Sequence, residues 1–244
     1  MIPWTQIGKA RVPGAEIELR LMRRGAEFSM MLGQNELMNS RLSGSEEVLA
    51  TLVCRQIGSV KRPHILIGGL GMGFTLRAAL AVLSAEARVT IAELVPEVIG
   101  WARGPMVELF GNSLSDPRAN IVEGDVADVI GSSESAFDAV LLDVDNGPEA
   151  LIRKANDALY DSGGLNAIHR ALRPGGVLAV WSSGPNVAFS KRLRAADFGV
   201  NEVGVRATTK RSGARHIIWL ATKAKTGLRI GSKPATKARS KTAR

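Results

Sequence analysis

The chain has 244 residues and 45% apolar content, enough to bury one good core, so one domain with a small appendage is the natural expectation. The formal net charge is +9, but eight of those charges lie in the last 22 residues, "KAKTGLRIGSKPATKARSKTAR", which hold no acid. The body is therefore close to neutral, and with no basic stripe and no Cys/His cluster it offers no ground for a nucleic-acid role in its folded part.

The first residues, "MIPWTQIGKARV", lack the apolar stretch of a signal peptide, and no segment approaches the roughly 20 apolar residues that span a bilayer. A cytoplasmic chain is expected. Across residues 15 to 40, "AEIELRLMRR" and "AEFSMMLG" alternate with period two around the turn signal Arg24-Gly25 and predict a small β-hairpin cap. From Ser45, which with Gly44 makes a helix start ahead of Glu46 and Glu47, "SEEVLATLVCRQIG" reads as a helix. The single cysteine, Cys54, lies on it. It can form no internal disulfide, which fits a reducing compartment, and with no histidine near it in sequence it reads as a buried structural thiol rather than a nucleophile.

Thereafter short apolar runs alternate with helical ones: "HILIGG" then "FTLRAALAVLS", "RVTIAEL" then "PEVIGWARGPMVELF", "ANIVEG" then "DVADVIG", "FDAVLLD" then "LNAIHRAL". "RPGGVLAVWSS" supplies a fifth strand, and "GVNEVGVRA" with "RHIIWLATK" a terminal antiparallel pair. The pattern is that of an α/β fold, with a mostly parallel seven-stranded sheet and helices on both faces. The expected partition is a small N-terminal β region over 1–44, the main domain over 45–222 and a basic tail over 223–244. So basic and so poor in large apolar residues, the tail is expected to be disordered, either merely solvated or touching anionic partners through non-specific charge attraction.

Open parallel sheets bind ligands at the carboxyl ends of their strands, and the first strand-to-helix turn here is "IGGLGMGF". Gly69, Gly71 and Gly73 let the backbone approach a ligand and adopt positive φ. Phe74 stands where the dinucleotide fingerprint wants a third glycine, and no Gly-Lys-Ser/Thr follows, which excludes a P-loop. Tight packing of strand against helix is the competing explanation of the turn. Glu93 ends the second strand, 20 residues after the last glycine, where a carboxylate can accept both ribose hydroxyls of a bound nucleoside. Asp125, with Val126 beside it, follows the third strand, where it can accept from an adenine amine or cap the next helix. Asp143 closes the fourth strand on the same crevice and is the candidate to act on substrate. His64, His169 and His216 have no metal-ligand spacing and are assigned structural roles.

In their order, "ILIGGLGMGFTLRAAL", "AELVPEVIGWAR", "DPRANIVEGDVADVI", "FDAVLLDVDNGP" and "ALYDSGGLNAIHRALRPGGVLAV" resemble the class I S-adenosylmethionine-dependent methyltransferase fold, and within it the spermidine synthase (polyamine aminopropyltransferase) family. The similarity runs over roughly residues 15 to 222 and includes the N-terminal hairpin. It implies a Rossmann-like fold, a transferase of polyamine biosynthesis, and S-adenosylmethionine or its decarboxylated form as group donor with no metal. Carried over residue by residue, it implies ribose binding by Glu93, adenine binding beside Asp125 and Val126, and a general base at Asp143. A second acid gathering the amine substrate falls on Asp145, with Asn146 as good a match because the loop is shortened. The resemblance leaves oligomeric state open, a homodimer included.

Two departures matter. The family places an aspartate inside its glycine loop, where it pairs with the propylammonium of the decarboxylated donor; this chain has Gly71 there. The stretch "LGQNELMNSRLSGSEE" also lacks the family's Tyr-His pair. Three functions therefore stand: aminopropyl transfer to an amine, methyl transfer from intact S-adenosylmethionine, and nucleoside binding without catalysis.

Overall fold

The computed structural model describes residues 2–14, 16–143, 158–206 and 215–225. Four strands come first: β1 (Thr5–Arg11), β2 (Glu18–Arg24), β3 (Glu27–Leu32) and β4 (Asn35–Asn39), an antiparallel sheet in that order. The predicted hairpin is its β2–β3 centre, turning at Gly25, and the expectation of a hairpin alone is corrected by the two outer strands. Both lack a readable alternation: β1 exposes most of its residues, and β4, "NELMN", carries only two apolar side chains.

Helix α1 (Gly44–Gln56) follows, beginning just before the expected Ser45. Ser43 precedes its first turn and donates to Glu47 at 2.8 Å, while Ser45 turns inward and is 2% exposed. The alternating part then runs β5 (His64–Gly68), α2 (Phe74–Val82), β6 (Arg88–Glu93), α3 (Pro96–Arg103), α4 (Val107–Phe110), β7 (Ala119–Glu123), α5 (Val126–Gly131), β8 (Phe137–Leu142), α6 (Ser162–Ala171), β9 (Leu172–Ser182), α7 (Val187–Ala195), β10 (Phe198–Arg206) and β11 (Arg215–Lys223). Gly104-Pro105 divides the expected single helix after β6 into α3 and α4, since proline cannot donate to the helical ladder.

The seven strands lie in the order β10-β11-β9-β8-β5-β6-β7, with β11 antiparallel to both neighbours. Strand parity divides the core. Ile65, Ile67, Ala139 and Leu141 face one side, where the small sheet packs through Leu21, Phe28 and Met30. Leu66, Val140 and Leu142 face the other, under α5 and α6. β8 is buried at every position, as expected of a central parallel strand, and its one charge, Asp138, accepts from the His64 N–H at 2.8 Å and pairs with Arg173 at 2.5 Å. No helix among the described residues is long and apolar enough to cross a membrane.

Lys223, counted by charge with the tail, is the last residue of β11. Its ammonium donates to the carbonyl oxygens of His169 and Leu172, each at 2.7 Å, where the end of α6 leaves carbonyls without helical partners and the helix dipole is negative. Lys223→Ala is therefore expected to cost about 1–3 kcal/mol. A urea titration that finds an unchanged midpoint would show that solvent serves those carbonyls equally well.

Candidate functional site

The order of the strands reverses beside β5. The chain leaves it for β6 and then β7 on one side, then returns to β8 on the other. The carboxyl ends of β8, β5, β6 and β7 consequently border one crevice, roofed by the small sheet and the first turn of α1.

The turn after β5 sets its floor. Gly69, Gly71 and Gly73 have φ of +88°, +50° and +77°. A side chain at Gly73 would place its Cβ 2.3 Å from the Phe110 ring, and one at Gly71 would meet the Met38 Cε at 2.9 Å. The positive φ favours glycine at all three, and at Gly73 the Phe110 ring also takes the space of a side chain. At Gly71 the space an acidic side chain would need is thus already filled by the Met38 thioether of β4.

Glu93, the last residue of β6, is 6% exposed and lines the crevice. Its two carboxylate oxygens accept from the backbone N–H of Leu70 at 2.8 Å and of Val95 at 2.9 Å, so it braces the glycine turn against its own strand end. Burial pushes its carboxyl above the ordinary carboxylate range, and the amide hydrogen bonds only partly oppose this. Asp125 caps α5, accepting from the Ala127 N–H at 2.9 Å, and also lines the crevice next to the buried Val126. Capping and bordering a ligand are compatible for this residue.

Asp143, the residue after β8, faces the same crevice and accepts from the Thr75 hydroxyl at 3.3 Å. Burial, with the Glu46 charge adding to it, pushes its carboxyl up to about 7 against the opposing Thr75 hydrogen bond. Asp145 and Asn146 lie outside the described residues. Gly69, Gly71, Glu93, Asp125, Val126 and Asp143 therefore line one cleft, and Gly73 joins Gly71 and Asp143 in a narrow lobe of it.

In the sequence Glu46 is only an acid in a helix's first turn. The structure brings it into both the cleft and the lobe. The Ser45 hydroxyl donates to its Oε2 at 2.7 Å, and His216 Nδ1 lies 3.1 Å from the Ser45 oxygen. With the Ser45 proton committed to Glu46, that oxygen is the acceptor and His216 the donor. Trp181 meets the His216 ring edge-on, with centroids 4.7 Å apart, and its indole N–H, on the cleft wall, has no partner among the described residues. Desolvation is the main cause that lifts the Glu46 carboxyl and lowers the His216 imidazole. One signal in the sequence points to Glu46, its place in the first turn of α1 at helical spacing from the buried Leu49, Ala50 and Val53; that α1 packs on α2, the helix after the glycine turn, is decided only by the tertiary structure.

The cleft thus holds four acids, Glu46, Glu93, Asp125 and Asp143, and among the described residues no Lys, Arg or His lines it. The other histidines lie elsewhere: His64 bonds Thr90 at 2.9 Å beside Phe137, and His169 packs edge-on to Phe198. No group of three or more metal-ligating side chains occurs among the described residues. Cys54 is buried and desolvation pushes its thiol up to about 11, which suits packing and not nucleophilic attack.

A family model described as a spermine/spermidine synthase domain matches residues 45–191. Curated relatives include a polyamine aminopropyltransferase of Korarchaeum cryptofilum (strain OPF8), 32% identical over 138 residues, with 56% of this chain and 41% of the relative covered. Another is polyamine aminopropyltransferase 2 of Pseudomonas aeruginosa, 31% identical over 144 residues, covering 54% and 39%. The matches span about two fifths of the length of these relatives. Among solved structures, spermidine synthase from Thermotoga maritima superposes with a TM-score of 0.70 at 20% identity, covering 90% of this chain and 73% of that one. A spermidine synthase in complex with the transition state analogue AdoDATO gives 0.69 at 20% identity, covering 90% and 72%.

The raised Asp143 carboxyl has a consequence for stability. In the folded chain it keeps its proton up to about pH 7, whereas its ordinary value is 3.8. Between those values the folded state binds more protons than the unfolded one, so the unliganded protein loses stability as pH rises from about 4 to about 7. Asp143→Asn cannot ionise. It is expected to melt several degrees above the wild type at about pH 8, with the difference vanishing near pH 4, given roughly 2–4 °C per kcal/mol at this size. Parallel melting curves at both pH values would refute the buried, proton-holding carboxyl.

Proposed function

Since the chain belongs to the spermine/spermidine synthase family, whose domain spans residues 45–191, we propose that it transfers an aminopropyl group from a sulfonium nucleoside of the S-adenosylmethionine type to an amine. The observation that carries this is Asp143, a carboxyl raised to about 7 in a largely apolar cleft whose charged side chains, among the described residues, are all acids, at the strand-order reversal. A base so tuned takes a proton near neutral pH, and the acidic surroundings attract cations.

In this reading Glu93, already oriented by two backbone amides, accepts the ribose hydroxyls, and Asp125 and Val126 border the adenine. Gly69, Gly71 and Gly73 leave the backbone close to the donor sulfur. The amine nitrogen attacks the propyl carbon next to that sulfur, the carbon–sulfur bond breaks, and its electron pair stays on sulfur, which becomes a neutral thioether. The proton released by the amine goes to Asp143. Asp145 or Asn146 helps gather the amine. Names of curated relatives support this chemistry. A homodimer in the cytoplasm, with non-specific charge attraction between the basic tail and anionic partners, is part of the same proposal.

Methyl transfer from intact S-adenosylmethionine is the second reading. It is favoured by one observation, the Met38 thioether in place of an acid at Gly71. In that case Asp143 orients the acceptor and serves less as a base.

Two variants test the assignment. Glu93→Ala should weaken nucleoside binding by a few kcal/mol, at about 1.5–3 kcal/mol for each charge-assisted ribose bond, and should also lower the melting temperature, because two backbone N–H groups lose their acceptor. Calorimetry that finds unchanged affinity removes Glu93 from the ribose site. Asp143→Asn should lower turnover on an amine by about 10²-fold or more while nucleoside affinity changes much less. Full activity in that variant, on whichever donor is bound, would exclude Asp143 as the base.

A further inference from the structure

We propose that Glu46, on the first turn of α1, is the residue that selects the donor by the charge of its tail, binding a terminal ammonium and disfavouring a tail that carries a carboxylate. The inference rests on the nucleoside reading given above and names a specificity residue within it.

The argument begins with the line of the cleft. Adenine at the end of β7 and ribose at the end of β6 leave the sulfur over β5 and direct the tail toward β8, three strand spacings from the adenine, or about 14 Å. The tail then enters the narrow lobe bounded by Met38, Glu46, Gly71, Thr75 and Asp143. Gly71 brings no charge to that lobe, and Met38 fills the room where a side chain on the turn would stand. Of the two acids there, Asp143 is engaged by Thr75 and is the proton acceptor of the reaction. Glu46 remains.

Glu46 is also held. Ser45, itself 2% exposed, donates to one of its oxygens, and His216 of β11 fixes Ser45 from behind. A positioned carboxylate needs little reorganisation to receive a cation, and it resists an anion for the same reason. The decarboxylated donor carries a sulfonium and an ammonium, both cationic. Intact S-adenosylmethionine adds a carboxylate, which would stand beside Glu46 and Asp143 with no Lys, Arg or His of the described lining to receive it. The negative charge absent from the glycine turn is thus supplied from a different element.

The test uses three ligands on the full chain: the decarboxylated donor, intact S-adenosylmethionine, and 5′-methylthioadenosine, which has adenine and ribose but no charged tail. Calorimetric affinities are measured for the wild type, Glu46→Gln and Glu46→Asp. The wild type should prefer the decarboxylated donor by at least about tenfold, and Glu46→Gln should reduce that preference about tenfold or more, while all three proteins bind 5′-methylthioadenosine equally. Glu46→Asp, which keeps the charge, should retain part of the preference. An unchanged preference in Glu46→Gln overturns the inference and leaves the nucleoside reading intact, as does loss of 5′-methylthioadenosine binding in that variant, since the residue would then serve the site as a whole. If the wild type itself fails to bind 5′-methylthioadenosine, the nucleoside reading falls and the inference falls with it.

Discussion

One buried carboxylate holds the working end of this molecule together. Glu93 accepts from Leu70 in the glycine turn and from Val95 at the head of the next loop, so a single side chain joins the ends of two neighbouring strands. Two effects compete there. Amide hydrogen bonds favour the charged form, burial at 6% exposure disfavours it, and burial is the larger cause. The balance suits a group that orients a turn from within a nearly dry strand end.

The same competition recurs around the cleft. Asp143 and Glu46 each have a carboxyl raised first by burial; the Thr75 hydroxyl opposes this at Asp143, and the Ser45 hydroxyl with the backbone N–H groups of Ser45 and Glu46 opposes it at Glu46. Placing such groups side by side is unfavourable in the free chain, because like charges in a partly desolvated lobe repel with little screening. A cationic ligand relieves that repulsion. The cleft therefore trades stability of the empty protein for affinity toward positive charge, and the rest of the fold offsets the loss. Asp138 illustrates the contrast: at 7% exposure it has both an arginine and a backbone N–H as partners.

Met38 and Glu46 border one lobe from different elements. The turn is constrained twice at Gly71, by a φ of +50° and by the methionine above it. An acid cannot return to that position without displacing Met38. The α1 terminus borders the same lobe and carries an acid that a hydrogen-bonded serine and histidine keep in place.

The sequence by itself determined the alternation of strands and helices, the glycine turn, and the acids at successive strand ends, because each is written in a short local pattern: apolar period, turn residues, and a charge where an apolar run stops. Residues such as Glu93, Asp125 and Asp143 are legible because a parallel sheet brings its carboxyl ends to one edge wherever the strands fall in sequence. Tertiary structure alone decided the rest. β1 and β4 are strands only through their neighbours in the small sheet, since neither has an apolar face of its own to read. Lys223 belongs to the fold because α6 ends beside it, not because of its composition. Glu46 and His216, 170 positions apart in the chain, meet through Ser45 only when β11 inserts between β10 and β9. Local patterns record what a segment buries, whereas the partner of a polar group depends on which distant segment is folded against it.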